Sequence, residues 1–142
     1  MASTILCSIV SAEEEIFSGL VERISATGTI GELGIYPGHA PLLTGVKRGP
    51  VKLVLEGGEE EIFFASGGYI EIQPTQITIL ADTAIRADDI DELAAAEAEK
   101  KAQQALSDQK ADVDFARVTA DLQEQTAMLR TVRKYREQKN RS

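Results

Sequence analysis

Residues 31–41 read Gly31-Glu32-Leu33-Gly34-Ile35-Tyr36-Pro37-Gly38-His39-Ala40-Pro41, a segment with three glycines, two prolines and the only histidine of the chain. The glycines supply positive φ or let another backbone approach closely, and each proline fixes φ and withholds a hydrogen-bond donor. An ordinary helix or central strand is therefore excluded, and we expect a stiff, shaped loop. Two interpretations stay open at this point: a binding loop between strands, or a turn cluster that closes a sandwich.

The sequence on both sides of this segment, up to about Ala84, has the short apolar runs of a β-sandwich. Turn signals separate the runs, and residues 56–59 and 73–76 suit tight connections between neighbouring strands. No helical period occurs among them, so we predict an antiparallel sandwich or flattened barrel. The runs are rich in β-branched and aromatic residues and cover residues 5–10, 20–26, 51–55, 62–65, 69–72 and 77–80.

The apolar period changes after Arg86, where two helical segments follow. Asp89 with Glu92 three residues later resembles a capping box and predicts a first helix over about 89–106. Burial of alanine stabilises far less than the roughly 1.5–3 kcal/mol of a buried leucine, so this helix offers a shallow contact face. We therefore expect a weakly held, detachable hairpin; a static hairpin fixed on the sheet is the alternative. Besides alanine, this contact face is expected to contain Ile90, Leu93 and Leu106.

The second helix is expected over about 112–138, after a break at residues 107–111 and with Asp112 as its cap. A narrow apolar seam of coiled-coil width runs along it, with Gln125 as the polar exception. A narrow seam on a long helix needs a partner, either within the hairpin or outside it. The seam consists of Phe115, Val118, Leu122, Leu129 and Val132.

Length and composition fit one core with an appended element, since the chain has 142 residues of which 43% are hydrophobic. The expected fold is α+β: an antiparallel β-sandwich domain at 1–86 and an antiparallel two-helix hairpin at 87–142. Cys7 is the only cysteine, so we expect a core residue, no intrachain disulfide and a reducing compartment. Apolar runs fall short of the roughly 20 residues that cross a bilayer, which predicts a cytosolic protein.

Charge is distributed unevenly along the chain, whose formal net charge is −8. Residues 130–142 hold six basic and one acidic side chain, which gives +5 there and −13 elsewhere. The helix macrodipole accounts for part of this pattern. Six cations exceed what capping requires, so we expect an acidic protein partner. Nucleic acid is disfavoured because the rest of the chain would repel it.

Catalytic and metal-binding constellations are scarce in this sequence. His39 has no second histidine with which to share a metal. The acidic residues of 88–92 lack the glycine and the later glutamate of a calcium loop. The glycines of 28–34 form no phosphate-binding fingerprint. We therefore expect no intrinsic catalysis, no cofactor and no metal.

Four motifs follow one another along the chain: Phe17-Ser18-Gly19, the segment 31–43, Ser66-Gly67-Gly68 and Ala81-Asp82-Thr83-Ala84. Together they resemble the ε subunits of bacterial F-type ATP synthases. The resemblance runs from about Ile9 to the end of the chain, and its last third matches mainly in pattern. It implies a β-sandwich with a two-helix hairpin, in a non-catalytic central-stalk subunit that is peripheral to the cytoplasmic face of the bacterial inner membrane.

The resemblance also implies partners and site residues. In that family the sandwich lies at the foot of the γ subunit and touches the c-ring, so that it couples proton-driven rotation to ATP synthesis. By motif, Glu32, Tyr36 and His39 are expected nearest the c-ring and γ. The extended hairpin of the family inhibits ATP hydrolysis, with the seam packed on γ and basic residues facing an acidic loop of a catalytic β subunit. The basic residues expected there are Arg130, Arg133, Lys134 and Arg136.

One family feature is missing here. Some relatives bind ATP through Ile/Leu-Asp-x-x-Arg-Ala, whereas Ile90 and Asp91 of this chain are followed by Glu92, Leu93, Ala94 and Ala95. Without a fixed arginine a major electrostatic contribution is lost, so we expect weak or negligible ATP binding. A nucleotide-sensing module, which would need that arginine, and a stand-alone protein-interaction adaptor stay as alternatives. A stand-alone enzyme would need a catalytic set that the sequence does not show.

Overall fold

The computed structural model describes residues 3–107 and 115–140. These residues form nine strands, then a 3-10 helix (Ala87–Asp89), then two α-helices, α1 (Glu92–Ser107) and α2 (Phe115–Asn140). The strands are β1 (Ile5–Val10), β2 (Glu15–Gly28), β3 (Gly31–Ile35), β4 (Leu42–Gly45), β5 (Gly49–Leu55), β6 (Glu60–Ala65), β7 (Gly68–Ile72), β8 (Gln76–Ala81) and β9 (Ala84–Arg86).

The strands lie in the order β4-β7-β8-β1-β2-β5-β6-β9, and β3 pairs with β2 outside this order. The long strand β2 makes this possible, because residues 15–21 pair with β1 and residues 24–28 pair with β3. The α+β class is confirmed. The sheet is not closed into a barrel, and β1 and β8 form a parallel pair within the otherwise antiparallel arrangement.

Alternate residues along the strands fill one core, as the period of two requires. In β1 the side chains of Ile5, Cys7 and Ile9 are buried, and β7 and β8 contribute Ile70, Ile72, Ile77 and Ile79 in the same way. The prediction that Cys7 is a core residue is confirmed. Burial raises the pKa of its thiol to about 12, so the thiol stays protonated and unreactive at neutral pH.

The strand prediction missed β3, β4 and β9, and the loop expected at residues 31–41 is in its first half a strand. Among the described strands β3 pairs with β2 alone, so it lies at an edge of the sheet, where glycines are tolerated. Gly31 has positive φ and Gly34 does not. The expected connections at 56–59 and 73–76 are present as antiparallel hairpins between β5 and β6 and between β7 and β8.

α1 begins later than predicted. Asp91 is its N-cap, since Asp91 Oδ1 accepts a hydrogen bond from the Ala94 amide at 3.0 Å and the Asp91 carbonyl accepts one from Ala95. The favoured Asp89 instead ends the 3-10 helix, and Ile90 is extended between the two helices. The expected Asp112 cap, residues 108–111 of the expected break and the side chain of Phe115 lie outside the described residues.

Gly68 occupies the most crowded glycine position of the sandwich. Its φ is +114°, and a Cβ atom there would overlap the carbonyl oxygen of Leu80 in β8. We expect Gly68→Ala to lower the free energy of unfolding by about 3 kcal/mol, because backbone strain and a steric clash add. Urea unfolding measures this loss.

Gly57→Ala is the matched control, because Gly57 also has positive φ (+100°) but open space around it. Here only the backbone strain of about 1 kcal/mol is expected. Equal losses in the two variants would contradict the assigned crowding at Gly68.

Candidate functional site

The segment after β3 is a type II turn. The Tyr36 carbonyl accepts a hydrogen bond from the His39 amide at 3.1 Å, with Pro37 second in the turn and Gly38 third at a φ of +83°. Nδ1 of His39 lies 2.7 Å from the Ala40 carbonyl oxygen. Because a carbonyl only accepts, Nδ1 carries the proton in the neutral ring, and Nε2 is then the acceptor. The turn therefore holds His39 in one tautomer and one orientation.

Glu32, Tyr36 and His39 lie on β3 and on this turn rather than in one cluster. Strand alternation directs Leu33 and Ile35 toward the core and Glu32 and Tyr36 outward. Tyr36 lies four positions after Glu32, a span of about 13 Å in extended conformation. Tyr36 is 59% exposed, and Glu32 accepts a hydrogen bond from Thr27 Oγ1 at 3.4 Å. These residues offer an extended strip to a partner.

An apolar surface on the outer face of β4, β7 and β8 was missed by the sequence reasoning. Tyr69 and Leu80 are cross-strand partners and are 60% and 51% exposed. Leu43 of β4 pairs with Glu71, two residues beyond Tyr69 on the same face, and is 67% exposed. We call Leu43, Tyr69 and Leu80 the open apolar face; such clusters mark interaction sites. The sequence did carry a signal for this face, because Leu43, Tyr69 and Leu80 are large apolar residues at outward-facing strand positions.

α2 packs with one side on the outer face of β5 and β6. The sheet supplies the buried side chains of Val54, Ile62 and Phe64, and α2 supplies Ala127 and Thr131, both without exposed surface. Polar contacts with the sandwich lie along the same side of α2. Ser66 Oγ donates to Glu124 Oε1 at 2.6 Å, Gln138 Nε2 to the Glu60 carbonyl at 2.8 Å, Arg48 to Gln123 Oε1 at 3.2 Å, and Arg130 to the Arg48 carbonyl at 3.4 Å.

The other side of α2 faces α1. Thr126 Oγ1 donates to Glu99 Oε2 at 2.8 Å, and Arg136 forms an ion pair with Glu92. By helical spacing the predicted seam residues Val118, Leu122 and Leu129 share this side, half-buried, and Val132 is buried.

The contact face of α1 differs from the expected one. Leu93 is 80% exposed, so its assignment to the contact face was wrong. Instead Ala95 and Ala102, seven residues apart, are the buried side chains that the described part of α1 contributes. Alanine allows close approach of the two helices but removes little apolar surface from water.

The four predicted basic contact residues do not form one patch in this structure, because their spacing points them to different sides of α2. Arg130 contacts the Arg48 carbonyl and Arg136 is paired with Glu92. Arg133 and Lys134 are exposed. Docking on the sandwich thus engages Arg130, and the contact between the two helices engages Arg136.

The two residues of the predicted nucleotide motif, Ile90 and Asp91, lie at the start of α1. The Asp91 carboxylate is engaged as the helix cap, and Ile90 is half-buried. Within 3–107 and 115–140, no three His, Cys, Asp or Glu side chains are grouped as metal ligands. None of the described helices has the length and hydropathy needed to cross a membrane.

The cap assignment is testable with Asp91→Ala. Loss of the cap should cost about 1 kcal/mol of local helix stability, so amide exchange at Ala94 should become roughly fivefold faster. Asp89→Ala removes the same charge two residues earlier and should leave that exchange unchanged. A larger effect of Asp89→Ala, read by hydrogen exchange, would contradict the cap seen in the structure.

Comparisons with known proteins agree over most of the chain. A family model described as ATP synthase, Delta/Epsilon chain, beta-sandwich domain matches residues 4–87. A Chromohalobacter salexigens protein named ATP synthase epsilon chain is 51% identical over 135 residues, which cover 95% of this chain and 96% of that relative.

The fold is also similar to chains of two solved assemblies. In the cryo-EM structure of OSCP, F1 and c-ring of the Euglena gracilis mitochondrial ATP synthase, the similar chain has a TM-score of 0.72 at 19% identity, covering 94% of this chain and 80% of that one. In the central stalk and c-ring of the Tetrahymena thermophila mitochondrial ATP synthase, the TM-score is 0.56 at 16% identity, covering 94% and 96%.

The sandwich thus places the protein among the delta and epsilon chains of ATP synthases. With the identity and coverage of its bacterial relative, the chain belongs to the ATP synthase epsilon chain family.

Proposed function

We propose that this chain is a non-catalytic central-stalk subunit of a proton-translocating F-type ATP synthase, and that its hairpin restrains ATP hydrolysis. The observation that carries the proposal is the unequal build of the two parts of an epsilon chain. The sandwich has a continuous core of isoleucine, valine, leucine and phenylalanine, whereas the described helices bury only alanines, one threonine and one valine. We infer that the sandwich keeps its place in the complex and that the hairpin can detach from the sandwich.

The sandwich is proposed to transmit rotation between the c-ring and the catalytic head. Similar chains occur in assemblies that contain F1, the central stalk and the c-ring. We infer that the strip of Glu32, Tyr36 and His39 faces the c-ring and γ. The open apolar face is well suited to γ, because α2 covers β5 and β6 and leaves that face uncovered. The complex would hold the chain at the cytoplasmic face of the bacterial inner membrane.

The hairpin is proposed to act on the catalytic α and β subunits after it leaves the sandwich. Undocking from the sandwich would free Arg130, separation of the two helices would free Arg136, and with the exposed Arg133 and Lys134 they would meet an acidic loop of a β subunit. Separation from α1 would also uncover Val118, Leu122, Leu129 and Val132. We expect these residues and Phe115 to pack on γ. In the docked state Arg130 and Arg136 are engaged and Val118, Leu122 and Leu129 are half-buried, so hydrolysis would proceed.

Removal of the hairpin tests this function. Deletion of residues 88–142 in the assembled enzyme should raise its rate of ATP hydrolysis. In the full-length chain, the pair Arg133→Gln and Lys134→Gln should raise the rate about two- to fivefold, since two partly solvated charge contacts would be lost.

The pair Lys100→Gln and Lys101→Gln is the control, because it removes the same charge from the exposed side of α1. It should leave hydrolysis unchanged. The inhibitory role fails if neither the deletion nor the α2 pair changes the rate.

ATP binding separates this function from a nucleotide-sensing module. Calorimetric titration of the chain should show no micromolar affinity, because Ala94 stands where the family motif has its arginine. Ala94→Arg restores the motif and should bind ATP more tightly than the natural chain. Micromolar binding by the unmodified chain would favour the sensing module, and failure to co-purify with α, β and γ subunits would favour a stand-alone adaptor.

A further inference from the structure

We propose that the hydrogen bond between Ser66 and Glu124 is a latch that sets how often the hairpin leaves the sandwich. The latch itself is a property of this chain alone. Its consequence for ATP hydrolysis rests on the proposed function.

Ser66 follows β6 and is held in place by the sheet. Its amide donates to the Thr83 carbonyl at 2.8 Å, and the residue is 8% exposed. From this fixed position the hydroxyl lies 2.6 Å from Oε1 of Glu124, which is half-buried in α2. Hydrogen bonds to a charged acceptor are shorter and about twice as strong as neutral ones. The contact joins residues 58 positions apart, so it exists only while α2 is docked.

The other polar contacts between α2 and the sandwich are less suited to this role. Gln138 donates to the Glu60 carbonyl, but its own Oε1 is buried without a hydrogen-bond partner in the part of the chain that the structure describes. That unmet acceptor offsets the gain from the bond. The contacts of Arg48 with Gln123 and of Arg130 with the Arg48 carbonyl are longer and exposed, at 3.2 and 3.4 Å. Water screens and competes with such contacts.

Loss of the Ser66 hydroxyl should weaken docking strongly, because the Glu124 acceptor would remain in place without its donor. Ser66→Ala would leave the Glu124 carboxylate half-buried in the docked state without the hydroxyl, whereas the undocked state would hydrate it fully. Removing one partner of a buried charged hydrogen bond costs more than removing the charge. Ser66→Ala should therefore favour undocking more than Glu124→Gln, which retains an acceptor for the hydroxyl.

A thiol at position 127 reports undocking in the isolated, full-length chain. Ala127 has no exposed surface and shares the sheet-facing side of α2 with Glu124, so the thiol of Ala127→Cys is reached by an alkylating reagent only after undocking. Cys7 provides an internal reference, because it lies in the sandwich core and reacts only when the sandwich opens. The ratio of the two labelling rates distinguishes undocking from unfolding.

In the Ala127→Cys background, Ser66→Ala should raise the labelling rate at position 127 about tenfold or more, and Glu124→Gln should raise it less. With Glu124→Gln present, adding Ser66→Ala should have a smaller effect, which shows that the two residues act as a pair. Glu137→Gln removes the same charge from an exposed position of α2 and should have no effect. The rate at Cys7 should stay constant throughout.

Unchanged labelling in the two single variants, an equal rise with Glu137→Gln, or a parallel rise at Cys7 would overturn the latch. In the assembled enzyme, Ser66→Ala should lower the rate of ATP hydrolysis, because more hairpins are extended. Faster labelling with unchanged hydrolysis would uphold the latch and overturn the inhibitory role instead.

Discussion

The position of the whole hairpin depends on one contact, the packing of α2 on the outer face of β5 and β6. α1 makes its main contacts with α2, through a side of the helix that differs from the side on the sheet. α1 therefore follows α2, and no separate anchor of comparable extent fixes it among the described residues. A change at the sheet-facing side of α2 should displace both helices together. The small contact of α2 with β5 and β6 therefore controls the position of the whole hairpin.

The energetic contrast between the two parts explains why such movement is compatible with a stable chain. The sandwich core is built from branched and aromatic side chains on nearly every strand, and its strands share one continuous sheet. The helices themselves bury mainly alanine, so the large apolar side chains covered by docking are limited to Val54, Ile62 and Phe64 of the sheet. Regions with few buried apolar contacts open at lower free energy than the core. Detachment of the hairpin therefore leaves the sandwich and its proposed stalk contacts intact.

Much of the sandwich was predictable from sequence, because alternating β-branched runs and glycine or proline turns act locally. β3 was not predictable, because its glycines suggest a loop and its strand conformation depends on hydrogen bonds from the neighbouring β2.

The same limit applies to the helices. Asp89 and Asp91 are equally good caps in isolation, and the extended Ile90 between them decides in favour of Asp91. Leu93 is exposed and Ala95 is buried because of the side of α1 that packs against α2, which the local sequence does not determine. Among site residues, the open apolar face was missed because exposure is a tertiary property.

The ion pair between Arg136 and Glu92 links the charge pattern to the packing. Glu92 in the first turn of α1 gives this cation an acidic neighbour within the hairpin, which is the same chemistry that the proposed β-subunit loop would provide. Docking and partner binding then compete for one guanidinium, although both pair members are substantially exposed and the contribution of each such pair is small. We propose that Arg136 is freed for an acidic partner when α1 separates from α2 after the hairpin has left the sheet, so that this cation becomes available only in the extended state.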